Sequence, residues 1–215
     1  MKKLSVVLAI LTVASCARQE QRRTVGSVME QENKGVISLG QPQGLDDEWS
    51  RSLVGEWESS GESDLAGFQC WVKGTGRVKM ELGVGGQFLV VSKQGQVAQI
   101  SDEYLQYLRQ NVHASEEEVE KLRRMKFAAV EYFTIDPRTG GIVAYVFDSW
   151  RCVATGAGRR EGNREIMEWT WSAGGQGTSV RTTQRVGKSR LVVTETYRLP
   201  DGGTMEDRVQ MVRKK

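Results

Sequence analysis

Histidine occurs once in the 215 residues, and cysteine and proline three times each. A zinc site needs three or four clustered His, Cys or acid ligands, and these few residues are scattered along the chain. His113, the single imidazole, falls between two expected helices with no nucleophile to pair with, so a Ser–His–Asp or Cys–His device has no base. A dominant charge is also missing. Thirty Lys and Arg stand against 27 Asp and Glu, and basic runs such as Arg22-Arg23, Arg159-Arg160 and Lys214-Lys215 are isolated pairs. That argues against a nucleic-acid footprint, which needs a basic stripe. Hydrophobic residues at 39% rule out a charge-swollen disordered chain, and a mean hydropathy of −0.45 rules out a polytopic membrane protein. Glycine is what the chain has in quantity, at 24 residues. With so little proline, that excess points to many short strands joined by tight turns. Nothing in the composition calls for a metal or a cofactor.

The first residues read MKKLSVVLAILTVASC. Lys2 and Lys3 form a basic start, and Leu4 to Val13 an apolar run too short to span a bilayer, which takes roughly 20 residues. This is the pattern of a secretory signal over residues 1–15. Its end, Val13-Ala14-Ser15-Cys16, resembles the lipobox of bacterial lipoproteins. The resemblance implies cleavage before Cys16, a diacylglycerol thioether on its sulfur and an extracytoplasmic protein held to a membrane by lipid. Ala17 is not the Asp that resembles an inner-membrane retention signal, so the outer membrane is expected in a double-membraned cell. Removing residues 1–15 deletes two Lys and no acid, leaving a nearly neutral mature chain. Residues 16–46 are rich in Gln, Arg, Glu, Ser and Gly and form an expected tether, with a coil reach of ~30 Å.

From residue 47 to 215 the pattern is mostly β. Arg77 to Leu82 alternates strictly, as a half-buried strand should. Other strand candidates are 54–61, 68–73, 87–93, 128–136, 141–151, 164–172, 178–186, 190–199 and 204–213, separated by Gly-, Asn- and Asp-rich breaks. About ten short strands joined by hairpins predict a single up-and-down antiparallel barrel of the all-β class, with a two-sheet sandwich as the alternative. Residues 101–126 break the pattern and predict an inserted helical hairpin. Ser101 is a candidate N-cap, and Ser115 to Glu118 reads as a capping box. The insertion could be a lid or a packed surface element. Gly74-Thr75-Gly76 and Gly156-Ala157-Gly158 do not sit between a strand and a helix, so neither is a phosphate cradle.

Several motifs, in order, resemble a bacterial family of uncharacterised lipocalin-like barrels over roughly residues 46–213. They are Asp47-Glu48-Trp49-Ser50-Arg51-Ser52-Leu53-Val54-Gly55-Glu56-Trp57, then Gly85-Gly86-Gln87-Phe88-Leu89. Tyr132-Phe133-Thr134-Ile135-Asp136 with Gly140-Gly141-Ile142-Val143 follows, and then Asp148-Ser149-Trp150. The resemblance implies a short helix leading into a lipocalin-like or fatty-acid-carrier-like barrel and carries no assigned activity. The helical pair departs from the short connection the family has there. The last strand lacks the Arg-x-Tyr of fatty-acid carriers, and no late strand has the His of haem-binding barrels of nitrobindin type.

Alternation places Met167, Trp169 and Trp171 inside the barrel, with Leu191, Val193, Glu195, Tyr197 and Leu199 on the next-but-one strand and Met205, Asp207, Val209 and Met211 on the last. With residues 200–204 as the loop, Tyr197 would lie opposite Asp207 and diagonal to Glu195. Trp169, Trp171, Glu195, Tyr197 and Asp207 are therefore the candidate ligand-binding residues, a polar end to an apolar cavity suited to a small amphipathic molecule. A filled polar network, or a carboxylate paired with an Arg, would use the same residues. Three functions fit: a non-catalytic barrel that binds a small apolar or amphipathic molecule, an enzyme (isomerase, cyclase or hydrolase) using lumenal carboxylates, or a structural or assembly lipoprotein with a filled barrel. With Cys16 lipidated, Cys70 and Cys152 are left as a candidate disulfide, whose loop closure would stabilise by ~4 kcal/mol. The leader yields a direct test. Acyl chains contribute about 0.8 kcal/mol per buried methylene, so Cys16→Ser should stay unprocessed and lose acyl-dependent membrane fractionation. A Cys16→Ser protein that is processed and fractionates like wild type contradicts lipidation.

Overall fold

In the computed structural model the described residues are 44–65, 70–173, 177–198 and 202–215. The signal, the lipobox and nearly all of the tether lie outside them. Ten antiparallel strands close into a barrel in which every neighbour in space is a neighbour in sequence, apart from the closing pair. They are β1 (Gly55–Leu65), β2 (Cys70–Gly83), β3 (Phe88–Ile100), β4 (Lys126–Ile135), β5 (Ile142–Asp148), β6 (Val153–Glu161), β7 (Arg164–Ala173), β8 (Gly177–Val186), β9 (Arg190–Arg198) and β10 (Thr204–Arg213). β1 and β10 complete the ring from Trp57 opposite Arg213 to Leu65 opposite Met205. Closure leaves no sheet edge open to another chain.

One end is plugged by α1 (Glu48–Leu53). Six residues are too few for a helix to persist alone, and this one is clamped from several sides. Asp47 caps it, accepting from the Ser50 amide at 2.8 Å. Arg160 of β6 reaches Asp47 at 2.5 Å and the Ser50 hydroxyl at 3.1 Å, and Arg185 of β8 reaches the Ser52 hydroxyl at 2.9 Å. Arg213 of β10 donates to the Val54 carbonyl at 2.6 Å and to the Ser52 carbonyl, supplying donors at the helix C-terminus where intrahelical partners run out. The guanidinium groups of Arg160 and Arg185 lie over Trp49, and that of Arg213 lies over Trp57 at 4.4 Å. Beneath this plug Trp49, Leu53 and Trp57 pack with Met80, Leu89, Phe133, Met167 and Leu191 into the main core.

The opposite end carries the insertion: α2 (Asp102–Tyr107), one π-helical turn (Leu108–Val112) and α3 (Glu116–Arg123). Ser101 caps α2 by accepting from the Tyr104 amide at 3.1 Å. The capping box is present, with the Ser115 hydroxyl accepting from the Glu118 amide at 3.3 Å and the Glu118 carboxylate from the Ser115 amide at 2.7 Å. His113 sits between the helices in the left-handed region at φ 57°. Tyr104, Leu108 and Leu122 are buried against Val72 and Met205, so the insertion is a packed roof over one side of this end.

The strands differ from expectation in two places. Candidates 68–73 and 77–82 are one strand, β2, which runs through Gly74-Thr75-Gly76. β6 was not expected at all, because Gly156, Gly158 and two arginines hide its alternation. Its glycines face inward, where their neighbours on β7 need the room: a Cβ on Gly156 would lie 2.6–2.9 Å from the Trp169 ring. Gly156→Ala should therefore destabilise the protein by about 1–3 kcal/mol through overpacking. Urea denaturation measures this, and an unchanged midpoint would show that Trp169 has space to move.

Candidate functional site

Along the strands of the lower barrel the inward positions are mostly apolar until four of them carry charge. Lys93 (β3), Glu131 (β4) and Glu195 (β9) share their inward faces with apolar neighbours, such as Leu89 and Val91 or Leu191 and Val193, whereas Arg181 (β8) stands on a polar face between Ser179 and Thr183. Their side chains meet across the lumen. Arg181 donates through Nε to Glu195 at 2.6 Å and through Nη1 to both oxygens of Glu131 at 2.9 and 3.1 Å. Lys93 reaches Glu131 at 2.6 Å, and the Ser179 hydroxyl donates to Glu195 at 2.6 Å. The Trp171 indole N–H extends the chain to Ser179 at 3.2 Å. Burying two carboxylates is costly unless each is paired and hydrogen-bonded, and here each is. Burial pushes Glu131 upward, but Arg181 and Lys93 outweigh it and hold the carboxyl at about 2. Burial works against charge on Arg181 too, yet Glu131 and Glu195 keep its pKa well above the ordinary value. Lys93 is pushed down by burial more strongly than Glu131 pulls it up.

This belt is a floor. Below it lies the core; above it, toward the open end, lies a cavity of about 250 Å³. Its walls include Phe127, Trp150, Trp171, Tyr197 and Met205, and Leu122 and Met125 overhang it from the helical insertion. The Trp171 and Tyr197 rings are 6.3 Å apart, and Phe127 and Trp150 stack at 6.2 Å. Gly61 and Gly74 put bare backbone on the β1–β2 wall where side chains would fill the lumen.

Of the residues singled out from sequence, Trp171, Glu195, Tyr197 and Asp207 come together around this cavity. Trp169 does not. It is 1% exposed in the core, edge-on to Phe133 at 6.0 Å and covered by the Arg181 guanidinium at 4.9 Å. The register also differs from expectation: Asp207 faces Glu195, and Tyr197 faces Met205. β9 ends at Arg198 and β10 starts at Thr204, opposite each other, so the partners are displaced by two residues from the expected pairing. A slide of two keeps every side chain on its face and changes only its neighbour. Cys152 is buried just ahead of β6, and Cys70 opens β2 at the same end of the barrel, with its side chain outside the described residues. Lys93, Glu131 and Arg181 were missed by the sequence reading. Lys93 and Glu131 each show as a charge on the apolar face of an alternating strand, while the polar face of β8 gives Arg181 no such signal.

Asp207 is the unusual group. Burial, reinforced by the Glu195 charge, pushes its carboxyl up to about 6, although the hydroxyls of Ser63 and Tyr197 bond to it. Burial likewise pushes the Tyr197 phenol well above its ordinary value, helped by Glu195 and Asp207.

The molecule is a lipocalin-like barrel, ten-stranded and closed, with a lumenal cavity open at one end. Its chain is similar in structure to Rv2717c from M. tuberculosis, with a TM-score of 0.53 and 12% identity, covering 76% of this chain and 94% of that one. It is similar also to the S-type phycobiliprotein lyase CPES from Guillardia theta, with a TM-score of 0.51 and 10% identity over 78% and 92% of the two chains. At these identities the likeness is one of fold. No family model matches the sequence, and no curated protein matches it.

Two shifted carboxyls on the cavity lining, Glu131 and Asp207, set opposite pH dependences. Glu131 titrates lower in the fold than in the unfolded chain, so its contribution is present above pH 4.5 and lost as pH falls toward 2. Asp207 titrates higher in the fold, so its contribution is full below its unfolded value of 3.8 and lost as pH rises through about 6. Asp207→Asn should thus remove a fall in stability between those limits and stabilise the protein by ~1–3 kcal/mol at pH 8. Urea titrations of both proteins from pH 4 to 8 measure it. A constant difference between them across that range would show that Asp207 titrates normally.

Proposed function

We propose that this protein is a lipid-anchored, extracytoplasmic barrel that binds a small amphipathic molecule in its open-end cavity without transforming it. The observation that carries the reading is the cavity itself, with aromatic and aliphatic walls above an ionic floor. Specific polar groups in a mainly apolar concavity are the usual make-up of a small-molecule site. A volume of about 250 Å³ suits a compact molecule better than a long-chain lipid. The lipobox resemblance at Cys16 supports the anchor, and the composition of residues 16–46 suits a spacer that holds the barrel off the membrane.

A second reading is favoured by one observation. Asp207 at about 6 and Glu131 at about 2 lie around one cavity, and carboxyls driven apart in this way can divide acid and base roles. In that reading Asp207 is a proton donor or acceptor in an isomerase, cyclase or hydrolase.

Gly74 provides the test. A Cβ there would meet only the Gln96 carbonyl oxygen, at 3.5 Å, so a larger side chain can grow into the lumen without disturbing the strand. Native mass spectrometry of the mature protein should find a small molecule bound to wild type and none on Gly74→Phe, with both folded. Equal occupancy in the two proteins would place the ligand elsewhere. Turnover of a screened substrate, abolished in Asp207→Asn, would establish the enzymatic reading instead.

A further inference from the structure

The polar groups around the cavity do not treat all ligand heads alike. Lys93 and Arg181 spend their charge on Glu131 and Glu195 at 2.6–3.1 Å. Asp207 has no such counterion. Its partners are the neutral hydroxyls of Ser63 on β1 and Tyr197 on β9. Around the cavity two buried cations stand against Glu131, Glu195 and Asp207, with Asp148 a fourth carboxyl and Arg77 an exposed cation on the lining. Among the described residues lining the cavity, the buried side-chain atoms without any hydrogen-bond partner are Asp207 Oδ1 and Asp148 Oδ2. Both are acceptors. Asp148 ends β5, across the ring from β10, and its other oxygen is taken by the Trp150 and Cys152 amides at 2.8 and 2.9 Å. The carboxyl torsion of Asp is broad, so either group can turn an unused oxygen toward a donor. The walls between them carry Phe127, Trp150, Trp171 and Tyr197. Aromatic faces attract cations and are indifferent to the alkyl tail that follows.

From this geometry we infer that the ligand is an amphipathic amine, whose ammonium group donates to Asp207 while its apolar part lies against the aromatic walls. The inference rests on the binding reading above and specifies the head group. A carboxylate head, by contrast, would meet an uncompensated carboxyl and find the two buried cations already engaged. A neutral alcohol could satisfy the Asp207 oxygen but would leave its charge unmatched.

Proton and ligand compete for the same carboxyl. Asp207 faces Ser63 from β1, Glu195 and Tyr197 from β9 and Arg181 from β8; of these, Glu195 raises its affinity for a proton and the others lower it. An alkylammonium stays charged across the working range, as a lysine does at ~10.4. The preference for an amine should therefore be full at pH 8 and shrink below pH 6, where Asp207 becomes neutral.

The experiment is calorimetric titration of the folded protein with octylamine, octan-1-ol and octanoate, three probes that differ only in the head. At pH 8 octylamine should bind at least tenfold more tightly than octan-1-ol, with octanoate weakest. Asp207→Asn should bring octylamine down to the octan-1-ol level. Wild type at pH 5 should show the same loss of preference, which tests the point independently of how the variant folds. Octanoate equal to or tighter than octylamine, or an amine preference that survives both Asp207→Asn and pH 5, overturns the inference while leaving a binding cavity in place. Failure of all three probes to bind overturns the binding reading itself, and the head-group inference with it.

Discussion

Arg181 is the side chain on which the interior depends. One guanidinium from β8 holds Glu195 beside it and Glu131 across the lumen, and Lys93 closes the row from β3. The planar fork of an arginine can serve two carboxylates at once, which an ammonium cannot do with comparable geometry. Removing it would leave Glu195 with the Ser179 hydroxyl and no bonded cation, and Glu131 with Lys93 alone, at a cost of roughly 3–5 kcal/mol. Replacing the whole belt with apolar side chains need not be costly, because paired buried charges seldom stabilise a fold more than good packing does. What the belt contributes is a partition. A barrel filled from end to end with aliphatic side chains would have a core and no site.

The two ends of the barrel follow from that partition. At the plugged end three arginines bond to α1 and cover its Trp49 and the Trp57 of β1, and apolar packing is continuous from Trp49 to Trp169. At the open end Gly61 and Gly74 withhold side chains, and the helical insertion lends Leu122 and Met125 to the rim. The larger core cluster thus lies at the plug, and the space for a ligand lies beyond the belt, beside the smaller cluster under the insertion. Asp207 belongs to the second half. A carboxyl held up to about 6 is a cost that the fold carries at neutral pH, and such costs tend to mark sites of use.

Much of this architecture was legible in the sequence, since alternation is a local signal. The inward faces of β7, β9 and β10, including Trp171, Glu195, Tyr197 and Asp207, follow from period two alone. The capping box at Ser115 was legible for the same reason: both partners lie within four residues. What escaped depended on neighbours far along the chain. β6 is a strand because the rings and thioether of β7 fill the space over Gly156 and Gly158, and nothing within β6 announces that. The β9–β10 register was off by a step that no alternation can detect. Trp169 and Trp171 read alike in sequence, and only Arg181, brought over Trp169 by the barrel, puts one below the floor and the other above it. The belt itself joins residues 38, 50 and 14 positions apart. Lys93, Glu131 and Glu195 are visible singly as charges on apolar faces, Arg181 on its polar strand is not, and their pairing is a property of closure.

The central claim is that the belt is a dry floor dividing core from cavity. A double-mutant cycle between Glu131 and Arg181 tests it most directly, with Glu131→Gln, Arg181→Met and the double variant compared by urea denaturation at pH 7. A desolvated pair should show a coupling of about 2 kcal/mol or more, within the range measured for residues sharing one network. A coupling below about 0.5 kcal/mol is what solvent-exposed pairs give. It would mean that water reaches both groups, and that the lumen has no floor.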